Sequence, residues 1–150
     1  MKNTALLIIL MLVVVSCKAK SGPEDIVLDR DTCDSCHMTI SDPTTVAEIR
    51  GGSDHLIRRF DDFGCAMNYA VEHDLLGDVS TEIWAADSSH AGVPAKWLDA
   101  RHAFYRANSH TPMDYGYTAV PLFSEGVLTF EHVIEHLAHR KPLPSLEKQP

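Results

Sequence analysis

Short β-prone runs in the first half of the chain predict a hairpin. Residues 44–50 and 55–60 are two such runs, and Gly51–Asp54 between them has the composition of a turn. Later segments are less uniform: we expect strands near 82–86 and 119–123, and 96–107 is ambiguous.

A helix is predicted directly after the hairpin. Asp61 or Asp62 can cap a helix that runs through Cys65 and stops at Gly77. At this position, capping is the better explanation for the two aspartates, and core packing is the better one for Cys65.

A second helix is predicted near the end of the chain. Thr129 can cap it, it extends to about His139, and two prolines at 142 and 144 stop it. Strands and helices mix without regular βαβ alternation, so the predicted fold class is α+β: a small single domain of short antiparallel strands with two main helices.

The first seventeen residues have the pattern of a secretory signal. Lys2 precedes an unbroken apolar run over 5–15, and Ser16 and Cys17 follow. Eleven apolar residues are too few to cross about 30 Å of hydrocarbon, which takes about 20. The run resembles a bacterial lipoprotein signal, in which the cysteine receives the lipid. Cys17 is thus the predicted anchor, on the extracytoplasmic face of a bacterial membrane.

These features divide the chain into four parts. We expect a signal peptide over 1–16, the lipidated cysteine and a tether over 17–30, the folded domain over 31–140, and a Pro-rich tail over 141–150. The length of 150 residues fits one domain, and the formal charge of −8 without a basic run makes nucleic acid an unexpected partner.

The cysteine count leaves one thiol over. With Cys17 lipidated, Cys33, Cys36 and Cys65 remain, an odd number in a compartment where structural thiols pair. A leftover thiol is buried, bound to a metal or used in redox exchange. A Cys33–Cys36 bridge with a buried Cys65 is the simplest alternative and stays open.

Two thiols, an imidazole and a thioether lie within the six residues Cys33–Met38. All four groups are metal ligands, and the neutral, soft thioether of Met38 suits Cu(I) better than Zn²⁺ or Cu²⁺. If the segment is extended, Cys36 and Met38 project from one face and His37 points away.

Met113 is a second candidate thioether ligand. It lies in a loop over 111–116 between a proline and a glycine, where no helical or strand stripe accounts for it.

Several blocks together resemble the NosL family, copper-binding lipoproteins that assist maturation of nitrous oxide reductase. After the lipoprotein signal come DTCDSCHMTISDP, AEIRGG, RFDDFGCAMNY, IWAAD, WLDARHAFY, TPMDYG and TAVPLF, in consistent order over about residues 29–123. The resemblance implies a fold similar to an alkylmercury lyase domain. It also implies a monomeric carrier, not an enzyme, that passes one Cu(I) to nitrous oxide reductase or its ABC-type maturation complex.

The family's Cys-Gly-Met falls on Cys36-His37-Met38, and its Thr-Pro-Met-Gly falls on 111–114, so His37 and Asp114 replace glycines. The predicted Cu(I) ligands are three principal and two auxiliary side chains: Cys36, Met38 and Met113, then Cys33 and His37.

The same stretch also fits the c-type haem attachment pattern C-x-x-C-H. Cys33 and Cys36 would bind the vinyl groups, His37 would be an axial ligand, and Met113 would lie opposite it. A monohaem electron-transfer lipoprotein is therefore the alternative function, although β-prone runs downstream are atypical of small c-type cytochromes.

The last helix carries H-x-x-E-H at 132–136, a zinc-peptidase pattern, with His139 on the same face. Few residues remain after it to supply the third ligand, so an exposed face with adventitious metal affinity is the better interpretation.

Overall fold

The computed structural model describes residues 20–107 and 109–139. The predicted signal peptide, Cys17 and the tail over 141–150 lie outside the described residues. Neither helix of the described part is long and apolar enough to cross a membrane.

Four antiparallel strands form the larger sheet, in the order β2-β1-β3-β4. Strand β1 is Ala47–Arg50, β2 is Ile57–Phe60, β3 is Glu82–Ala86 and β4 is Trp97–Asp99. The predicted hairpin is confirmed: Ala47 pairs with Phe60 and Arg50 with Ile57. Every residue of β1 is buried because it lies between β2 and β3 and under a helix.

Three short strands form a second antiparallel sheet, in the order β6-β5-β7. Strand β5 is Phe104–Arg106, β6 is Thr118–Val120 and β7 is Leu128–Thr129. The ambiguous segment 96–107 contains β4 and β5, one in each sheet. Strand β6 ends at Val120, before the predicted position 123, and the next residue, Pro121, has no N–H to donate to a neighbouring strand.

The two predicted helices are present, and each has ten residues. Helix α1 is Phe63–Glu72 and α2 is Phe130–His139. Helix α1 ends before the predicted stop at Gly77, and Asp74 just beyond it has φ 55°, a left-handed conformation that cannot continue a helix. The predicted α+β class is confirmed.

The main core lies between the large sheet, α1 and the second sheet. Its largest fully buried side chains include the aromatic rings of Phe60, Phe63 and Tyr105. Phe63 packs on Tyr105 with ring centroids 4.7 Å apart. This contact packs the first turn of α1, which begins shortly after the end of β2, against the second sheet.

The described part of the range 17–30 lies against the large sheet. Glu24 Oε1 accepts from Arg50 at 2.8 Å, and the Glu24 N–H donates to Glu48 at 2.7 Å. Ile26 is buried in a small second cluster with Ile40 and Val46. The folded unit therefore includes residues before 31.

Candidate metal centre

The segment Cys33–Met38 forms a tight turn. The N–H of Cys33 donates to the Met38 carbonyl at 2.8 Å, and the N–H of His37 donates to the Cys33 carbonyl at 3.0 Å. His37 has φ 62°, in the left-handed region. The condition of an extended Cys36–Met38 segment is therefore not met, because the reversal at His37 interrupts the strand alternation that would place the two side chains on one face.

Two reciprocal contacts attach this turn to β2. The N–H of Asp34 donates to the Arg59 carbonyl at 2.8 Å, and the N–H of Arg59 donates to the Asp34 carboxylate at 2.7 Å. The turn is thereby held beside the C-terminal end of β2, where Asp61 follows Phe60.

Four potential ligand groups meet at this point: Cys33, Cys36, Asp61 and Cys65. Their sulfur and carboxylate oxygen atoms all lie within 4.8 Å of one another. The three cysteines of this group are free thiols. Three thiols and a carboxylate are a donor set that could hold a metal ion.

The three cysteines of this thiol cluster, Cys33, Cys36 and Cys65, differ in their exposure to solvent. The half-buried Cys36 Sγ lies 3.4 Å from each carboxylate oxygen of Asp61 and donates to them. Cys33 and Cys65 are 0% and 2% exposed, respectively, and lie in the main core. Only Cys36 therefore offers the cluster an approach from solvent.

The thiols influence one another's protonation. The Cys65 thiol donates a hydrogen bond to Cys33, which lowers the pKa of Cys33 to about 7 despite burial. That same bond, followed by burial, raises the pKa of Cys65. Burial raises the pKa of Cys36 to about 12. The thiolate in the metal-free cluster is thus most favoured at Cys33.

The adjacent aspartates have different roles. Asp62 is the N-cap of α1: its carboxylate accepts from the Gly64 N–H at 2.9 Å. The prediction of capping is confirmed for Asp62 and wrong for Asp61. Asp61 faces the thiols instead, and the buried Thr45 hydroxyl donates to its carbonyl at 2.8 Å.

Asp62 also holds the loop that contains Met113. Its second carboxylate oxygen accepts from the Met113 N–H at 3.0 Å, and the Thr111 side chain bonds to the same group. Burial raises the pKa of Asp62, and these bonds oppose that rise. One buried carboxylate therefore links the Met113 loop to the start of α1, next to Asp61.

Tyr115 fixes the same loop at a second point. Its ring lies against Gly64, and its hydroxyl accepts from Asn68 Nδ2 at 2.6 Å. Gly64 leaves the space that the ring occupies, since a Cβ there would lie 2.0 Å from Tyr115 Cγ.

The five predicted ligands are distributed over this region. Cys33 and Cys36 belong to the cluster, and the His37 side chain is exposed and outside it. Met38 is 44% exposed, and Met113 is half-buried and packed on the main core. Coordination by these five side chains stays a prediction.

The histidines of the H-x-x-E-H pattern take other partners. His132 Nδ1 lies 3.2 Å from Thr129 Oγ1, and His136 Nδ1 lies 3.3 Å from the Tyr117 hydroxyl. Within residues 20–107 and 109–139, the group of three or more His, Cys, Asp or Glu side chains that could hold a metal ion is the one formed by the three thiols and Asp61. The side chain of His139 lies outside what the structure describes.

Asp61 and Cys65 are the site residues that sequence reasoning missed. Both had a sufficient local explanation, a helix cap and a core position, and Cys65 is indeed buried. Two features of the sequence could have pointed to them. The number of thiols is odd, so one has no disulfide partner. One of two adjacent aspartates is enough to cap a helix, so the other carboxylate is left for another role.

Comparison of the chain with protein-family models, with curated proteins and with solved structures finds no match. The NosL resemblance therefore remains a prediction from the sequence blocks.

Proposed function

We propose that this protein is a lipid-anchored extracytoplasmic carrier of Cu(I) that supplies copper for maturation of nitrous oxide reductase. The observation that carries the proposal is the cluster of three free thiols at Cys33, Cys36 and Cys65, with its one approach from solvent at Cys36. Thiolate sulfur is the ligand that Cu(I) prefers, and Cu(I) tolerates two or three ligands.

The arrangement suits a carrier better than a permanent metal site. A carrier must release its ion by ligand exchange, which requires that an incoming ligand reach the metal. Cys36 is half-buried and Met38 is 44% exposed, so a partner's sulfur ligand can approach from the solvent side. We propose Cys36, Met38 and Met113 as the principal Cu(I) ligands, with Cys33 and His37 auxiliary.

The backbone at two positions supports the NosL resemblance. His37 and Asp114, which stand where the family has glycine, adopt φ values of 62° and 56°. Glycine is favoured in this left-handed region because it has no Cβ. A family with glycine at both positions would therefore form the same two turns.

The burial of Cys33 disfavours the c-type haem alternative. Covalent attachment requires both thiols of C-x-x-C-H to reach the vinyl groups of one macrocycle. Cys33 is fully buried against Cys65, while Cys36 is directed at Asp61. The two sulfurs thus do not share an outward face.

The proposed partners follow from the resemblance and the signal. A lipid on Cys17 would hold the protein at the outer face of a bacterial membrane, as a monomer. Nitrous oxide reductase or its ABC-type maturation complex would receive the copper. The protein would act as a carrier without catalysing a reaction.

Competition titration against a colorimetric Cu(I) chelator tests the proposal. The full chain, purified in mild detergent under reducing conditions, should be colourless and bind about one Cu(I). Cys36→Ser should weaken binding most, and Met38→Leu and Met113→Leu should each weaken it without unfolding the protein, since leucine and methionine have similar volumes.

Met67→Leu is the matched control. Met67 is a buried core methionine of α1, so its replacement removes a thioether without touching the proposed ligands. His37→Gly should retain Cu(I), because glycine adopts the left-handed φ at that position. A covalently attached haem, or Cu(I) affinity that no cysteine or methionine variant changes, would contradict the proposal.

A further inference from the structure

The donor atoms of the thiol cluster exceed what the proposed Cu(I) site needs. Cys36 with two methionines already supplies one thiolate and two thioethers. Two further sulfurs and a carboxylate lie within 4.8 Å of the Cys36 sulfur, on Cys33, Cys65 and Asp61. These four groups form a complete set of ligands by themselves, and they include an oxygen that Cu(I) does not favour.

The spacing of the four ligand atoms is close to that of a tetrahedral zinc site. Zn²⁺ binds thiolate sulfur at about 2.3 Å and carboxylate oxygen at about 2.0–2.2 Å, so tetrahedral ligand atoms lie roughly 3.5–3.8 Å apart. In the cluster, Cys36 Sγ lies 3.4 Å from each Asp61 oxygen, and all four ligand atoms lie within 4.8 Å of one another. Each atom would therefore move by less than about 1 Å to close on a single ion.

The types of donor also favour zinc. Zn²⁺ accepts cysteine and aspartate ligands together, and its closed sites have four of them. Cu(I) tolerates two or three soft ligands, whereas Mg²⁺ and Ca²⁺ take oxygen. Three sulfurs and one oxygen therefore match a borderline divalent ion better than a softer or a harder one.

The backbone around the thiols supports a metal-bound turn. Cys33 and Cys36 have the C-x-x-C spacing of zinc ligands. The N–H of Cys36 points at Cys33 Sγ, with nitrogen and sulfur 3.5 Å apart. Hydrogen bonds of this kind orient metal ligands, and the contacts between Asp34 and Arg59 hold the turn in place without an ion.

Asp61 is the observation that points most directly to a cation. Its side chain is 2% exposed, and the donor to both of its oxygens is the Cys36 thiol. A thiol is a weak hydrogen-bond donor, and a buried carboxylate needs a strong partner to stay ionised. A divalent ion between the carboxylate and the sulfurs would be that partner.

We propose that the thiol cluster is a tetrahedral site for one Zn²⁺ ion, held by the sulfurs of Cys33, Cys36 and Cys65 and by the carboxylate of Asp61. Each thiol gives its proton to solvent when its sulfur binds the metal. The site itself does not depend on the proposed function.

Its relation to copper does rest on the proposed function. Cys36 is a ligand in both sets, so Zn²⁺ and Cu(I) compete for it. Since Cys36 is half-buried and the other two cysteines are buried, ligand exchange starts at Cys36. Zn²⁺ thus occupies the three thiols, which are otherwise open to oxidation outside the cytoplasm, until Cu(I) displaces it.

Titration of the reduced, metal-free full chain with cobalt(II) chloride tests the site. Co²⁺ replaces Zn²⁺ in such sites, and its absorption spectrum reports the ligands. The intense visible bands of a tetrahedral ion and the sulfur-to-metal charge-transfer band should saturate at one Co²⁺ per chain, and Zn²⁺ should abolish both. X-ray absorption spectroscopy of the zinc-loaded wild type should count three sulfurs and one oxygen around the ion.

Variants then assign the ligands. Cys65→Ser should lower the charge-transfer intensity by about a third. Asp61→Asn should keep that intensity but weaken Zn²⁺ binding about tenfold or more. Asp87→Asn is the matched control, because Asp87 is also buried, at 1% exposed, and lies outside the cluster; this variant should bind Zn²⁺ like wild type.

The proposal is overturned if fewer than three sulfurs bind the ion in wild type, if Co²⁺ gives the weak spectrum of an octahedral ion, or if Asp61→Asn binds Zn²⁺ as tightly as wild type. The ligand count of wild type is decisive even if a variant does not fold. Cu(I) titration is a separate measurement. Cu(I) binding without the tetrahedral cobalt spectrum refutes only the zinc site, and the cobalt spectrum without Cu(I) binding refutes only the carrier.

Discussion

Gly64→Ala should loosen the Met113 loop from helix α1. The substitution adds a single methyl group in the first turn of the helix. That Cβ would lie 2.0 Å from Tyr115 Cγ and 2.5 Å from Tyr115 Cβ. Carbon atoms in contact are normally about 3.5–4.0 Å apart, and the atoms concerned are at the base of the side chain, so the loop backbone itself must move.

The expected magnitude combines three effects. Overpacking of this kind costs about 1–3 kcal/mol. Displacement of the ring also breaks the hydrogen bond from Asn68 to the Tyr115 hydroxyl, which is worth about 1 kcal/mol. The higher helix propensity of alanine returns up to about 1 kcal/mol. The net loss in the free energy of unfolding should therefore be about 1–3 kcal/mol.

Urea unfolding of the reduced, metal-free protein measures this loss. Gly77→Ala is the matched control, because a Cβ at Gly77 meets nothing within 4 Å and lies outside α1. The control should be neutral or stabilised by up to about 1 kcal/mol, through the reduced freedom of the unfolded chain. Equal stability of the two variants would refute the view that Tyr115 requires a glycine beneath it.

Three further predictions concern the site's surroundings. Asp62→Asn keeps a capping oxygen but loses the acceptor for the Met113 N–H. The free energy of unfolding should therefore fall by about 1–3 kcal/mol, and hydrogen exchange of the Met113 amide should accelerate. An unchanged exchange rate would contradict this prediction. Burial raises the pKa of Glu48 from 4.5 to about 7, so the folded state binds its proton more tightly than the unfolded chain does. As the pH rises from about 4.5 to about 7, wild type should lose on the order of 3 kcal/mol of unfolding free energy relative to the Glu48→Gln variant. Urea unfolding at several pH values measures this difference. Unfolding free energies of the two proteins that change in parallel with pH would rule the prediction out. Thr45→Val removes the hydroxyl donor to the Asp61 carbonyl. The free energy of unfolding should fall by about 1–3 kcal/mol in the same assay. A neutral effect would show that this bond does not hold Asp61.

Secondary structure was predictable where local interactions decide it. The hairpin over β1 and β2 followed from two β-prone runs around a turn, and Asp62 capped α1 through a bond to Gly64, two residues away. The end of α1 was harder to locate. Gly77 was a plausible stop, but the chain turns at Asp74, in a left-handed conformation that residues other than glycine adopt uncommonly.

The site was predictable only in part. Cys33 and Cys36 were found because they lie three residues apart in a dense ligand motif. Cys65 and Asp61 were assigned to packing and capping because each had a local reason for its position. The turn at His37 was also missed, since a non-glycine residue gives little sign that it will adopt a left-handed φ.

The sequence by itself determined the α+β class, the soft ligand types and an odd number of thiols for the domain. These are properties of composition, spacing and bonds between residues close in the chain. Only the tertiary structure decided which groups meet. Asp61 lies 25 residues from Cys36 in the chain, and their contact depends on the attachment of the Cys33–Met38 turn to β2 through Asp34 and Arg59. Cys65 joins them because α1 starts where β2 ends and turns its first buried face toward the same point. Such an approach is set by strand pairing and core packing across the whole domain, so no local pattern encodes it.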